Sequence, residues 1–275
     1  MSFAGQTAWI TGASSGIGAA LAREFASRGA RIVLSGRDEA RLAQIAAGIA
    51  TDTLTLPFDV RETAAMQAAT ERAIAWSGGV DVFVANAGIS QRSAAVDTAL
   101  EVYRQIIEVD LTAQIAATQA LLPHMVARAN AGNSGRLVFI SSIAGKVGVP
   151  LRTAYCAAKF GLIGYADALR AELSQAGVAV HVVCPGSVAT DVSRNALTAD
   201  GSARGKSDRA IDEGIAPAEA AQAILDGIGA GTREIIVARG VEQAMGEMRR
   251  TPDALLDQMA TMVANGYMQK MEAEE

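Results

Sequence analysis

The residues with the most chemical promise lie in the stretch LRTAYCAAKFGLIGYADALRAEL, residues 151–173. Tyr155 and Lys159 stand four apart, which on an α-helix stacks them on one face. A phenol releases its proton near pH ~10 and is a poor base at neutrality. A lysine cation about 5 Å away, at an effective dielectric near ~20, favours the phenolate by roughly 3 kcal/mol. Such a pair can serve as an acid/base couple. The same spacing also arises on helices that do no chemistry, so the assignment depends on what else the chain brings to the same place.

A second group of residues could hold an anion. TAWITGASSGIGAALAREFASRGARIVLSGR, residues 7–37, reads as a strand, a glycine-rich turn, a helix and a second strand. Gly12, Gly16 and Gly18 let the backbone turn tightly and approach a pyrophosphate. The helix that follows presents its N-terminal N–H groups and the positive end of its dipole. A site selecting NAD carries an acid at the end of the second strand for the ribose 2′-hydroxyl. Here the strand ends Ser35-Gly36-Arg37. Arg37 can fork onto a 2′-phosphate, and Asp38 is placed to cap the helix beginning at Glu39. NADP(H) is therefore favoured, with NAD(H) as the alternative in which Asp38 reaches the ribose.

These residues must be positioned by alternating elements. Short, continuous apolar runs at 6–11, 31–35, 53–58, 80–86, 135–141, 178–185 and 233–238 read as strands buried on both faces. Helical patterns fall between them at 15–28, 39–49, 62–76, 102–129, 153–176 and 217–228. This rhythm predicts an α/β, doubly wound parallel sheet of about seven strands with helices on both faces, one catalytic domain spanning 1–275. Two stretches break it. Residues 187–214 are polar and rich in Gly and Ser, as either a functional lid or a disordered loop would be. The C-terminal 241–271 reads as two short helices parted at Thr251-Pro252, with Met-rich apolar spacing that suits packing on the body, on a partner subunit or over a pocket.

The bulk properties exclude several classes. The net charge of −5 and pI of about 5.2, without a basic run, argue against a nucleic-acid binder. Cys156 and Cys184 have no metal-like spacing, so no metal is expected. No apolar run approaches a membrane span and no secretory signal is apparent, so a cytoplasmic location is the expectation. His124 reads as a satisfied surface or interface residue, His181 and Cys156 as packing residues, and Glu242, Glu247, Arg249 and Arg250 as a solvated helix face.

Five motifs then fall in register: TGASSGIG (11–18), NAG (86–88), Ser142 thirteen residues before Tyr155, the Y-x-x-x-K pair, and PGSVAT (185–190). Together they resemble the short-chain dehydrogenase/reductase family, in its single-domain group with a Ser/Tyr/Lys active site, over about residues 4–240. The resemblance implies a Rossmann-like fold and a hydride transfer between NADP(H) and a carbonyl or secondary alcohol, with Tyr155 as acid/base. It implies that Lys159 orients cofactor and tunes Tyr155, and that Ser142 holds the substrate oxygen. Gly12, Ser14, Ser15, Gly16, Ile17 and Gly18 would receive the pyrophosphate. Asp59 and Val60 would flank the adenine, Asn86, Ala87 and Gly88 the cofactor's middle, and Pro185, Gly186, Val188 and Thr190 the nicotinamide end. Asp110 stands where the family usually has asparagine, whose backbone holds a relay water beside the lysine. Its carboxylate would favour a charged Lys159 and oppose the phenolate, raising the pH optimum. It also reads as a helix aspartate with no catalytic part. The resemblance implies a homodimer or homotetramer through the two long helices. Expected pocket residues are Ile143, Gly145, Val149, Pro150 and parts of 187–214. A non-catalytic NADP-binding redox sensor, and an epimerase or dehydratase of the same fold, stay open as alternatives.

Overall fold

The computed structural model describes residues 1–267 and 269–270. Seven parallel strands form one sheet in the order β3-β2-β1-β4-β5-β6-β7: β1 Thr7–Thr11, β2 Arg31–Gly36, β3 Thr53–Pro57, β4 Val82–Ala85, β5 Gly135–Ile140, β6 Val178–Pro185 and β7 Glu234–Val237. The helices are α1 Gly16–Ser27, α2 Glu39–Ala47, α3 Thr63–Ser77, α4 Leu100–Ile107, α5 Ala113–Asn130, α6 Thr153–Glu172, α7 Arg209–Asp212, α8 Pro217–Gly229, α9 Gly240–Met248 and α10 Asp253–Ala264. The predicted doubly wound parallel sheet is what forms.

The central strands are mostly apolar because each of their faces meets helices. In β1, Ala8 and Ile10 point into the layer beneath α1 and α8, while Trp9 points into the opposite layer with α3, α5 and α6. β4 repeats this, with Val82 and Val84 on the first side and Phe83 and Ala85 on the second. The strand order reverses between β1 and β4, and ligands of such sheets bind at the carboxyl ends of the strands flanking that switch.

Three observations refine the sequence expectation. The stretch read as one helix over 102–129 is α4 and α5 joined by a π-helical turn, Glu108–Thr112, a geometry common at functional sites. Residues 187–214 are tied down: Leu197 N–H donates to the Ser90 carbonyl (2.8 Å) and Arg92 N–H to that of Leu197 (2.8 Å). The Arg92 guanidinium also pairs with Asp208 at 2.7 Å. The C-terminal stretch does part at Thr251-Pro252, into α9 and α10, and its far end at Met268 and Met271 lies outside the described residues.

Candidate active site

A cleft of about 330 Å³ runs along the carboxyl ends of the strands, from Arg37 and Asp59 at one end to Ser142, Tyr155 and Pro185 at the other. The turn after β1 makes its floor. Gly12 has φ of 65°, in the left-handed region. A Cβ on it would lie 2.8 Å from Ala87 Cα, and one on Gly18 would lie 2.3 Å from the Gly12 carbonyl oxygen. Only glycine lets the turn, α1 and the end of β4 approach so closely. Asn86 locks this junction, its Nδ2 donating to the carbonyls of Thr11 (2.9 Å) and Gly12 (3.3 Å). Thr11, which sequence reasoning passed over, accepts from Asn86 N–H (3.0 Å) and Ala87 N–H (3.1 Å) at its hydroxyl.

Ser14, Ser15, Gly16 and Ile17 line the cleft at the start of α1, where its unpaired N–H groups suit a pyrophosphate. Gly18 does not line it; it sits one layer below, against Gly12 and Asn86. Val60, Ala87, Gly88, Gly186, Val188 and Thr190 all line the cleft. The turn, the glycine cradle and this length of cleft fit a nicotinamide dinucleotide.

At the adenosine end, Arg37 is exposed and lines the cleft. Asp38 does cap α2: its side chain accepts from Arg41 N–H at 3.0 Å. Asp59 is held by Arg61, through Nε (3.0 Å) and a terminal nitrogen (2.7 Å). This pairing keeps the Asp59 carboxyl below its ordinary range. Arg61, unremarked in the sequence, adds a second arginine to this end.

The opposite end of the cleft gathers side chains from distant stretches. Lys159 is buried in α6. Its Nζ donates to the Ile140 carbonyl (3.1 Å), pairs with Asp110 Oδ2 (3.1 Å) and lies 5.5 Å from the centre of the Tyr155 ring. Burial pulls the Lys159 ammonium down, but Asp110 outweighs it and holds the lysine above its usual range. Asp110 is fully buried on the π turn and also accepts from Ile89 N–H (2.8 Å) at Oδ1. Burial pushes its carboxyl up, against the pull of Lys159 and that N–H. The carboxylate at position 110 thus touches the lysine itself, the contact through which it was expected to favour a charged Lys159. The Ser142 hydroxyl accepts from Ala144 N–H (3.1 Å) and donates to the Pro185 carbonyl across a long 3.4 Å bond. Ser142 therefore caps a turn.

Some expectations fall elsewhere. Ile143 and Gly145 are buried under the site, because the turn after Ser142 packs down onto α6; a Cβ on Gly145 would lie 2.8 Å from the Lys159 carbonyl oxygen. Val149 and Pro150 do not line the cleft; Val149 N–H instead donates to Cys156 Sγ (3.3 Å). The walls there come from Ile89 and Gln105, for which periodicity and motifs offered no signal, and from Asn195 and Ile211, within the expected 187–214. Glu242 and Arg250 are not a purely solvated face either. Glu242 accepts from Ser187, and Arg250 donates to the Glu234 carbonyl at 2.8 Å. His181 is buried, with Nδ1 2.7 Å from the Thr232 carbonyl, and burial lowers its pKa. No described helix is long and apolar enough to cross a membrane, and the described residues hold no cluster fit for a metal ion.

A glycine-floored cleft at the switch point, with a tyrosine, lysine and serine at one end, defines a dinucleotide-dependent oxidoreductase fold and site. The short chain dehydrogenase family model matches residues 6–201, and the chain belongs to the short-chain dehydrogenase/reductase family. Among curated relatives, Dehydrogenase/reductase SDR family member 7B of Danio rerio is 38% identical over 238 residues, spanning 83% of this chain and 76% of the relative. Dehydrogenase/reductase SDR family member 7 of Homo sapiens is 38% identical over 200 residues, 70% of this chain and 58% of the relative. A short-chain dehydrogenase/reductase from Burkholderia phymatum, solved with NAD, shares the fold at a TM-score of 0.80 and 22% identity, over 92% of this chain and 98% of that one. A 3-ketoacyl-(acyl-carrier-protein) reductase from Brucella melitensis, solved with NADH, superposes at 0.77 with 26% identity over 88% of this chain and all (100%) of the other.

Proposed function

We propose that the protein transfers a hydride between NADP(H) and a carbonyl or secondary alcohol, with Tyr155 as the acid/base. The observation that carries this is the buried Lys159 cation, 5.5 Å from the Tyr155 ring at the far end of the glycine-floored cleft. When bound, the nicotinamide supplies or accepts the hydride. Tyr155 gives its proton to the ketone oxygen in reduction and removes the alcohol proton in oxidation. Lys159 supports the phenolate by its charge, which Asp110 and the Ile140 carbonyl hold in place. Ser142 redirects its proton from the Pro185 carbonyl to the substrate oxygen and stabilises charge there.

NADP(H) rather than NAD(H) is our reading of the adenosine end. Arg37 and Arg61 line it, and the Asp38 carboxylate is committed to capping α2. We further propose that the protein acts as a homo-oligomer in the cytoplasm on a small-molecule substrate, the Ala-rich faces around α5 and α6 pairing between copies. Fluorescence titration with NADPH and NADH tests the cofactor reading. Wild type should prefer NADPH by at least about tenfold, and Arg37→Ala should remove that preference. Equal affinity in the wild type, or a preference untouched by the substitution, would refute the role of Arg37.

A further inference from the structure

The C-terminal helices meet the cofactor cleft from outside. Glu242 lies in the first turn of α9. Its Oε2 accepts from the Ser187 backbone N–H at 2.7 Å and its Oε1 from the Ser187 hydroxyl at 2.9 Å. Ser187 directly follows Pro185 and Gly186, which line the cleft. Gly186 makes room for this clasp, since a Cβ there would lie 2.4 Å from Glu242 Oε2. The Ser187 carbonyl is taken as well, by Ile215 N–H at 2.9 Å. Every polar group of Ser187 is therefore fixed, two of them by one side chain from α9.

The same helix also reaches the turn that carries Ser142. Gly246 lies so close to Ile143 that a Cβ would sit 2.8 Å from its Cδ1. Beyond α9, the Thr251 hydroxyl donates to Glu234 Oε2 at 3.2 Å, the oxygen that also accepts from Lys146 Nζ at 2.5 Å. Lys146 follows the turn 143–145, and this ion pair is buried, each side chain being 5% exposed. The loop after β6 and the loop after β5 thus share one external frame.

We propose that Glu242 is a positioning residue for the nicotinamide end of the cleft: its two-point clasp on Ser187 holds the Pro185–Val188 backbone in the shape that receives the ring. The physical reason is ordering. A loop fixed before the ligand arrives does not have to be fixed by it, so affinity is lost when the clasp is cut. The loss should fall on the half of the cofactor that touches this loop and spare the other. Gln at 242 should preserve the clasp. Its amide oxygen accepts from Ser187 N–H, and its NH2 donates to the serine hydroxyl, which can turn from donor to acceptor.

This inference rests on the cofactor reading above, and the test separates the two. The full chain as wild type, Glu242→Ala and Glu242→Gln is titrated with NADPH and NADH, and with the adenosine fragments 2′,5′-ADP and ADP. For the preferred dinucleotide, Glu242→Ala should weaken binding by about five- to tenfold, shift its matching fragment by less than about twofold, and be rescued to within about twofold of wild type by Gln. Unchanged dinucleotide affinity in Glu242→Ala, equal weakening of dinucleotide and fragment, or failure of Gln to rescue overturns the inference while leaving the cofactor reading intact. A wild type that binds neither dinucleotide overturns both.

Discussion

The two ends of the cleft are built in different ways. The pyrophosphate floor is backbone: the eight residues 11–18, from the end of β1 through a turn into α1, whose geometry is set by what its glycines lack. The catalytic end is side chains, delivered by a π turn at Asp110, the end of β5 at Ser142, α6 at Tyr155 and Lys159, and the clasp from Glu242. A site made of local backbone is compact in sequence and tolerates no added atoms. A site made of converging side chains is spread along the chain, and each group can be removed with the scaffold left standing. Damage at the first should therefore appear as lost binding and stability together, and loss of the Tyr155 hydroxyl at the second as lost turnover with fold and cofactor binding kept.

The largest expected effect tests the second half of that contrast. Tyr155→Phe removes one oxygen from a half-buried ring that faces the cleft, so folding and cofactor affinity should be nearly unchanged. Loss of the acid/base group should lower kcat by about 100- to 10,000-fold. Stopped-flow or steady-state rates beside a cofactor titration measure both. A kcat within about threefold of wild type would exclude Tyr155 as the proton donor.

Gly18→Ala tests the first half. The new Cβ would fall 2.3 Å from the Gly12 carbonyl oxygen and 2.5 Å from Asn86 Nδ2, so backbone must move. Overpacking of this kind costs about 1–3 kcal/mol, which in a chain of this size lowers Tm by several degrees. Cofactor affinity should fall with it, because the displaced groups are the ones that shape the cradle. A variant with wild-type Tm and wild-type affinity would break the contrast, by showing that the turn has slack.

How far each end could be read from the sequence follows the same division. The strands were legible because burial on both faces writes continuous apolar runs, and the cradle because Gly12, Gly16 and Gly18 sit in one short motif. The Ser/Tyr/Lys spacing was legible through family resemblance. The π turn was not: Glu108–Thr112 carries the periodicity of an ordinary helix, and the extra residue per turn appears only when Asp110 is seen beneath Lys159. Glu242 read as solvated because its partner lies 55 residues away, and Lys146 meets Glu234 across 88. Neither partner differs in type from a surface residue. The cleft walls were misplaced at Ile143 and Gly145 because the sequence does not say which way the turn after Ser142 folds.

The smallest effect sharpens the catalytic half. Lys159 is buried, and burial alone would strip its proton at lower pH; Asp110 reverses that and keeps the ammonium charged. A cation whose pKa is raised in the folded protein keeps its charge until the pH climbs through that raised value. It then loses both the charge and the stability linked to it. Asp110→Asn keeps an acceptor for Ile89 N–H but removes the countercharge, so the pKa of Lys159 should fall back. The alkaline limb of the kcat profile, and with it the optimum, should move to lower pH, with the bond to the Ile140 carbonyl still holding the lysine in place. The alkaline limb of thermal stability should move the same way. A Tm-versus-pH series alongside the rate profile decides it. If stability shifts and the rate profile does not, Asp110 secures only the fold of the lysine, and the charge on Lys159 is not what limits proton transfer at Tyr155.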